Sequence, residues 1–238
     1  MATMAQVNAM RTAQKRLSDR AKSAVNALWG DVRGSSPEVV RNAFLDAMPQ
    51  IVGTYGAASA EVAAEYFEQL TGYSADPVDA LNVDQVHAAV RYRAGSLWGD
   101  QNREFVAGLL VDVDKYVKAF GRNTMYENAD RRGTGYARVP SGAKTCAFCM
   151  VMASRDVLYL SRRSAGERGS GNEFHGDCDC SVIAVRDPSD LPENFNQDEM
   201  VALYESARDE AGSGDLKDIV ATARRQNPDM FTDGVHEH

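Results

Sequence analysis

All four cysteines of this 238-residue chain fall inside a window of thirty-five residues, together with one of its four histidines. They read Cys146-Ala-Phe-Cys149, then a spacer, then His175-Gly-Asp-Cys178-Asp-Cys180. Cysteine used as a small core hydrophobe would be scattered, so this grouping points to a covalent or metal cross-link. A Cys-x-x-Cys pair can give one tetrahedral ion two thiolates at about 2.3 Å each, with the distal half completing the set. Cys178 and Cys180 are separated by one residue and share a face of any extended segment, so either is placed to serve. The candidate metal ligands are therefore Cys146, Cys149, His175, Cys178 and Cys180, one more than Zn2+ needs. Two disulfides, in any of three connectivities, and free thiols are the other readings of the same four cysteines.

Compartment bears on that choice. No apolar run approaches the roughly 20 residues that span a bilayer, and the first residues lack a basic segment followed by an apolar one. A reducing compartment is expected, where thiol clusters hold zinc more often than they form disulfides. The net charge of −8 is unevenly spread. Residues 121–168 carry nine basic and four acidic side chains, whereas residues 169–238 carry five basic and sixteen acidic ones. A basic middle and an acidic tail imply surfaces of opposite sign, and a solvated acidic face accounts for the tail.

Apolar periodicity divides the chain further. Val7, Met10, Leu17, Ala21, Ala24 and Leu28 recur at three- and four-residue steps, as on one face of a helix that ends at Gly30 and Gly34. Ser36-Pro37-Glu38 starts a second helix carrying Val40, Phe44, Met48 and Ile51 on one face. Ser59 reads as the cap of a third, stopped by Gly72. Residues 73–82 form a turn-rich connector. A long helix, broken near Gly99-Asp100 and ending at Gly121, follows. Short strands are expected at residues 136–139 and 180–185, with a short helix over residues 145–154 capped by Thr145. Asn196 caps a tail helix that Gly212 ends, and Leu216, Ile219, Val220 and Ala223 make a last one. The expected fold is α+β and mainly α, in three parts: a helical domain (1–120), a small Cys/His-stapled α+β module (121–187), and an acidic helical tail packed on it (188–238).

Catalytic signals are weak by comparison. Gly166-Glu-Arg-Gly169-Ser-Gly171 has no strand before it and no helix after it, so it is a loop and not a phosphate cradle. Ser161, Ser164 and Ser170 lack a nucleophile-elbow context. Redox chemistry at Cys146 and Cys149 would need a βαβ setting that the flanks lack. His87, in a helical stretch, reads as structural. Arg131, Arg132, Arg162 and Arg163 are candidate contacts to a nucleic-acid backbone. An enzymatic alternative is a small metal-dependent nuclease or toxin-like enzyme using His175 with the carboxylates of Asp177 and Asp179, although neighbouring thiols favour zinc over a hard cation.

The run Tyr136-Ala-Arg-Val-Pro-Ser-Gly-Ala-Lys-Thr-Cys-Ala-Phe-Cys149, closed by Phe174-His175-Gly-Asp-Cys178-Asp-Cys180, resembles the Mu F-like minor head protein domain of tailed bacteriophages. The version here is most similar to those in phages of actinobacteria, and the resemblance covers residues 121–186. It implies a non-enzymatic minor capsid protein, acting in head assembly at or near the portal, with a part in DNA packaging or ejection. The implied partners are the portal protein and the major capsid or scaffold proteins, with DNA as a further one and no membrane. The implied location is the virion, with the host cytoplasm during assembly. Many members carry Arg between the last two cysteines, where this chain has Asp179.

Overall fold

The computed structural model describes residues 3–99, 102–140, 145–154, 178, 180–186, 190–192 and 195–231. The described residues form seven α-helices and one two-stranded sheet: α1 (Met4–Val32), α2 (Pro37–Thr71), α3 (Val83–Ala94), α4 (Asn102–Arg132), β1 (Gly135–Val139), α5 (Ala147–Ser154), β2 (Ser181–Val185), α6 (Gln197–Ala211) and α7 (Leu216–Gln226). One 3-10 turn, Gly95–Trp98, lies between α3 and α4. Mainly helical architecture with a small sheet is as the patterning requires.

The long helices differ from expectation at two points. Ser59 is not a cap: α2 runs without interruption to Thr71, and Ser59 is fully buried in its middle. Nor does α4 end at Gly121, which it passes by eleven residues to reach Arg132. Both positions are places of close approach. A Cβ on Gly121 would run into the Gln14 side chain of α1 and the Ser59 hydroxyl and carbonyl of α2. A Cβ on Gly56 would meet the Phe120 ring at 2.5 Å. Small residues here let α1, α2 and α4 pack closely, and that gain exceeds the helix-propensity cost of glycine.

Pro49 sits inside α2 and has no N–H to give, which deprives the Leu45 carbonyl of its helical partner. His87 of α3 takes that vacancy, with Nε2 3.0 Å from the Leu45 oxygen. The structural role read for His87 is therefore a specific one. We expect His87→Leu to lower stability by about 1 kcal/mol, by leaving a half-buried carbonyl without a partner. Urea unfolding followed by circular dichroism measures it.

Three apolar clusters result. The first lies between the long helices and α3, around Phe44, Met48, Val90, Phe105 and Leu109. A second joins the helical half to the sheet: Val7, Met10, Phe67 and Met125 pack with Tyr136, Val139, Ile183, Val185 and the four cysteines. The third seats α5 on α6 and α7 through Met150, Met152, Ile219 and Ala223. β1 and β2 are antiparallel, with Ala137 opposite Ile183, and every residue of both strands is buried. A two-stranded ribbon is marginal alone. Here α4 packs against both strands, α2 against β2 and α5 against β1.

α1 and α4 also share a buried charge. Asp114, whose side chain is 4% exposed, accepts from the Ser18 hydroxyl and lies 2.7 Å from Lys118 and 3.3 Å from Lys22. The tail helices begin where expected. Asn196 accepts from the Glu199 N–H and Asp215 from the Lys217 N–H, so both are side-chain caps. Thr145 does not act as the cap of α5; it forms a β-bridge with Phe231 and so ties the module to the segment that follows α7.

Candidate metal centre

The cysteines are brought together by three short segments. Cys146 precedes α5, and Cys149 lies in its first turn. The Cys149 N–H donates to the Cys146 sulfur at 3.2 Å, so a thiol takes the capping place expected of Thr145. Cys178 and Cys180 lead into β2, whose pairing with β1 fixes their approach. The Sγ atoms of Cys146, Cys149 and Cys178 all lie within 4.8 Å of one another, and Cys149 Sγ and Cys178 Sγ are 3.3 Å apart. Sulfurs bound at about 2.3 Å to one tetrahedral ion stand about 3.8 Å apart, between those two distances. Three cysteines are thus close enough to hold a metal. Cys180, 3% exposed, interacts with both Cys149 and Cys178.

Proton sharing within the cluster is unequal. Interaction with Cys149 and Cys178, together with burial, holds the Cys146 thiol well above the ordinary range. The bond from Cys146 pulls Cys149 down, but donation towards Cys178 and Cys180 together with burial pushes it up further. Interaction with Cys146, Cys149 and Cys180 lowers the Cys178 thiol well below its usual value, against the effect of burial. One thiolate is therefore stabilised in the core, and the thiolate is the form that binds metal.

Two buried arginines flank these sulfurs. Arg122 of α4, 5% exposed, donates through Nη2 to the carbonyls of Cys178 at 3.2 Å and Cys180 at 3.4 Å. It also helps to lower the Cys178 thiol. Arg138 of β1 is 3% exposed, with its guanidinium 5.9 Å from the centre of the Phe148 ring. Burial works against its charge, and Tyr126, Cys180 and Cys149 together outweigh that, so it stays a cation. The two guanidinium groups place positive charge beside the buried thiols. Sequence reasoning missed both. The available signal was Arg138 itself, a charge in the middle of an otherwise apolar strand.

The remaining candidates are placed as follows. His175, Asp177, Asp179, Arg162 and Arg163 lie outside the described residues. Arg131 is 2.7 Å from Asp76 and 3.5 Å from Glu127. Arg132 donates to the carbonyl and hydroxyl of Ser74 and lies over the Tyr73 ring. Both tie the connector at residues 73–82 to the end of α4.

Comparison with known proteins agrees in source. One relative, the Gene 15 protein of Mycobacterium phage D29, is 28% identical over 149 residues, covering 50% of this chain and 54% of its own length. The chain thus spans about half the length of the curated relative it matches. No solved structure matches it. A family model described as VG15 protein matches residues 1–207, which takes in the helical half, the cysteine centre and most of α6. The chain belongs to the VG15 protein family.

Proposed function

We propose that this chain is a minor capsid protein of a tailed bacteriophage, acting structurally in head assembly at or near the portal, with zinc bound at its cysteine centre. The observation that carries the structural role is the placement of the thiols. All four are at most 3% exposed and belong to the same apolar cluster as Val7, Met10 and Phe67 of the long helices. A catalytic zinc keeps one position open to water and substrate, whereas a structural one is closed by protein. A centre buried between two halves of a fold does the second job: it locks the module onto the helices. Bound there, zinc would supply four ligand bonds and no reaction. Cys146, Cys149, Cys178 and Cys180 would hold it, with Arg122 and Arg138 balancing the charge. Membership of a phage family over most of the chain and the Mu F-like constellation support the assignment to the head. The nuclease reading rests on His175, Asp177 and Asp179, which lie outside the described residues.

The test is assembly. In infected cells the protein should sediment with portal-containing procapsids and remain with purified virions, detected by immunoblot across a density gradient. A protein found only in the soluble fraction, absent from both particles, would remove the proposal.

A further inference from the structure

Beside the cysteine centre, α1 and α4 enclose a cleft of about 290 Å³ that ends against Cys178 and Cys180. Its helical walls carry five cations. Arg11, Lys15 and Lys22 come from α1, and Lys118 and Arg122 come from α4. Steps of four and seven residues keep the α1 cations within one narrow stripe, and the stripe extends about 16 Å along the helix. Two carboxylates face them among the described residues. Asp114 is already committed to Ser18, Lys22 and Lys118, and Asp19 forms an exposed pair with Lys15. Positive charge is therefore concentrated in a concave site on a chain whose net charge is −8. The Nε of Arg11 is buried and has no hydrogen-bond partner. Neither carboxylate of the cleft offsets the Arg11 charge, since Asp19 and Asp114 pair with lysines, so an oxyanion entering the cleft is drawn to it.

We infer that this cleft binds the phosphodiester backbone of a nucleic acid, through Arg11 and Lys15 within the field of Lys22 and Lys118. Length selects this ligand over a single small anion. One strand of duplex DNA carries a charge about every 3.4 Å, so a 16 Å stripe runs beside several successive phosphates. The cleft volume is about ten times a water molecule's share of the liquid, too large for one ion to fill. The inference stands apart from the head-assembly proposal, since it concerns a surface and not the staple. It also places the contact away from Arg131 and Arg132, which hold the connector.

Fluorescence anisotropy of the full-length protein with labelled single- and double-stranded oligonucleotides tests it. Binding should weaken steeply between about 50 and 200 mM salt, with a log–log slope near −2 to −3 for two or three phosphates neutralised. Arg11→Gln/Lys15→Gln should weaken binding at least tenfold at low salt and reduce the slope by about two, roughly one per cation removed. Lys15→Glu alone, at a side chain 67% exposed, should weaken it without disturbing the fold. Arg131→Gln/Arg132→Gln should leave binding unchanged. No binding by the wild type at low salt, or equal binding by the Arg11 and Lys15 variants, overturns the inference. Equal displacement by polyglutamate assigns the cleft to an acidic protein segment, and displacement by millimolar inorganic phosphate assigns it to a small anion; either result also overturns it.

Discussion

Cys149→Ser is expected to lower the stability of the protein by at least about 3 kcal/mol and to abolish stoichiometric zinc binding. Cys149 touches every part of the centre. Its N–H holds Cys146, its sulfur meets Cys178 at 3.3 Å, and its side chain is fully buried. Serine keeps the size but offers a poor zinc ligand, and it leaves Arg138 facing a weakened negative charge in a dry site, the situation in which broken buried pairs cost about 3–5 kcal/mol. Because metal binding is coupled to folding, the loss should exceed that of an ordinary core substitution. Thermal melts with and without a strong chelator provide the control. Chelation should lower the wild-type melting temperature to that of the variant and leave the variant where it is. A wild type indifferent to chelator would show that the thiols stabilise the fold without metal.

Asp114→Asn should cost about 2–3 kcal/mol at neutral pH, because it removes the buried carboxylate that Lys22 and Lys118 share where α1 meets α4. Its pH dependence has a definite sign. Burial alone would raise the Asp114 pKa, but Lys118, Ser18 and Lys22 outweigh it and hold the group below its ordinary value of 3.8. A carboxylate lowered on folding contributes stability that is complete above the unfolded value and lost as pH falls through the folded one. The wild type should therefore exceed the variant in stability by a constant amount from neutrality down to about pH 4. Below that the difference should shrink. Urea midpoints measured across that range would contradict the account if the gap widened as pH fell.

How much of this was readable in the residues depends on the kind of signal. Helices with side-chain caps, such as those opened by Asn196, announce themselves because the cap is local chemistry. Both strands were legible because the composition changes abruptly around Pro140 and Cys180. Ser59 and Gly121 misled for a common reason. A serine before an apolar run and a glycine after one are boundary signals in an isolated helix, but here each lies where three helices meet and small volume outweighs local preference. The Cys-x-x-Cys spacing identified the centre, and the separation of its halves by a long polar stretch did not hide it. The flanking charges were hidden. Arg122 and Arg138 come from α4 and β1, and only pairing of β1 with β2 sets Arg138 beside Cys180. Pairing of His87 with the carbonyl freed by Pro49 was invisible for the same reason, since forty-two residues separate His87 from Leu45.

We propose that four buried thiolates close on one metal ion, balanced by two buried guanidinium groups. X-ray absorption at the zinc edge, on protein purified without chelator, tests it most directly. One zinc per chain with four sulfur neighbours at about 2.3 Å is the predicted result, unchanged in His175→Ala. Three sulfurs and one nitrogen, lost in His175→Ala, would contradict the four-thiolate set, and a metal-free protein without titratable thiols would contradict the metal centre altogether.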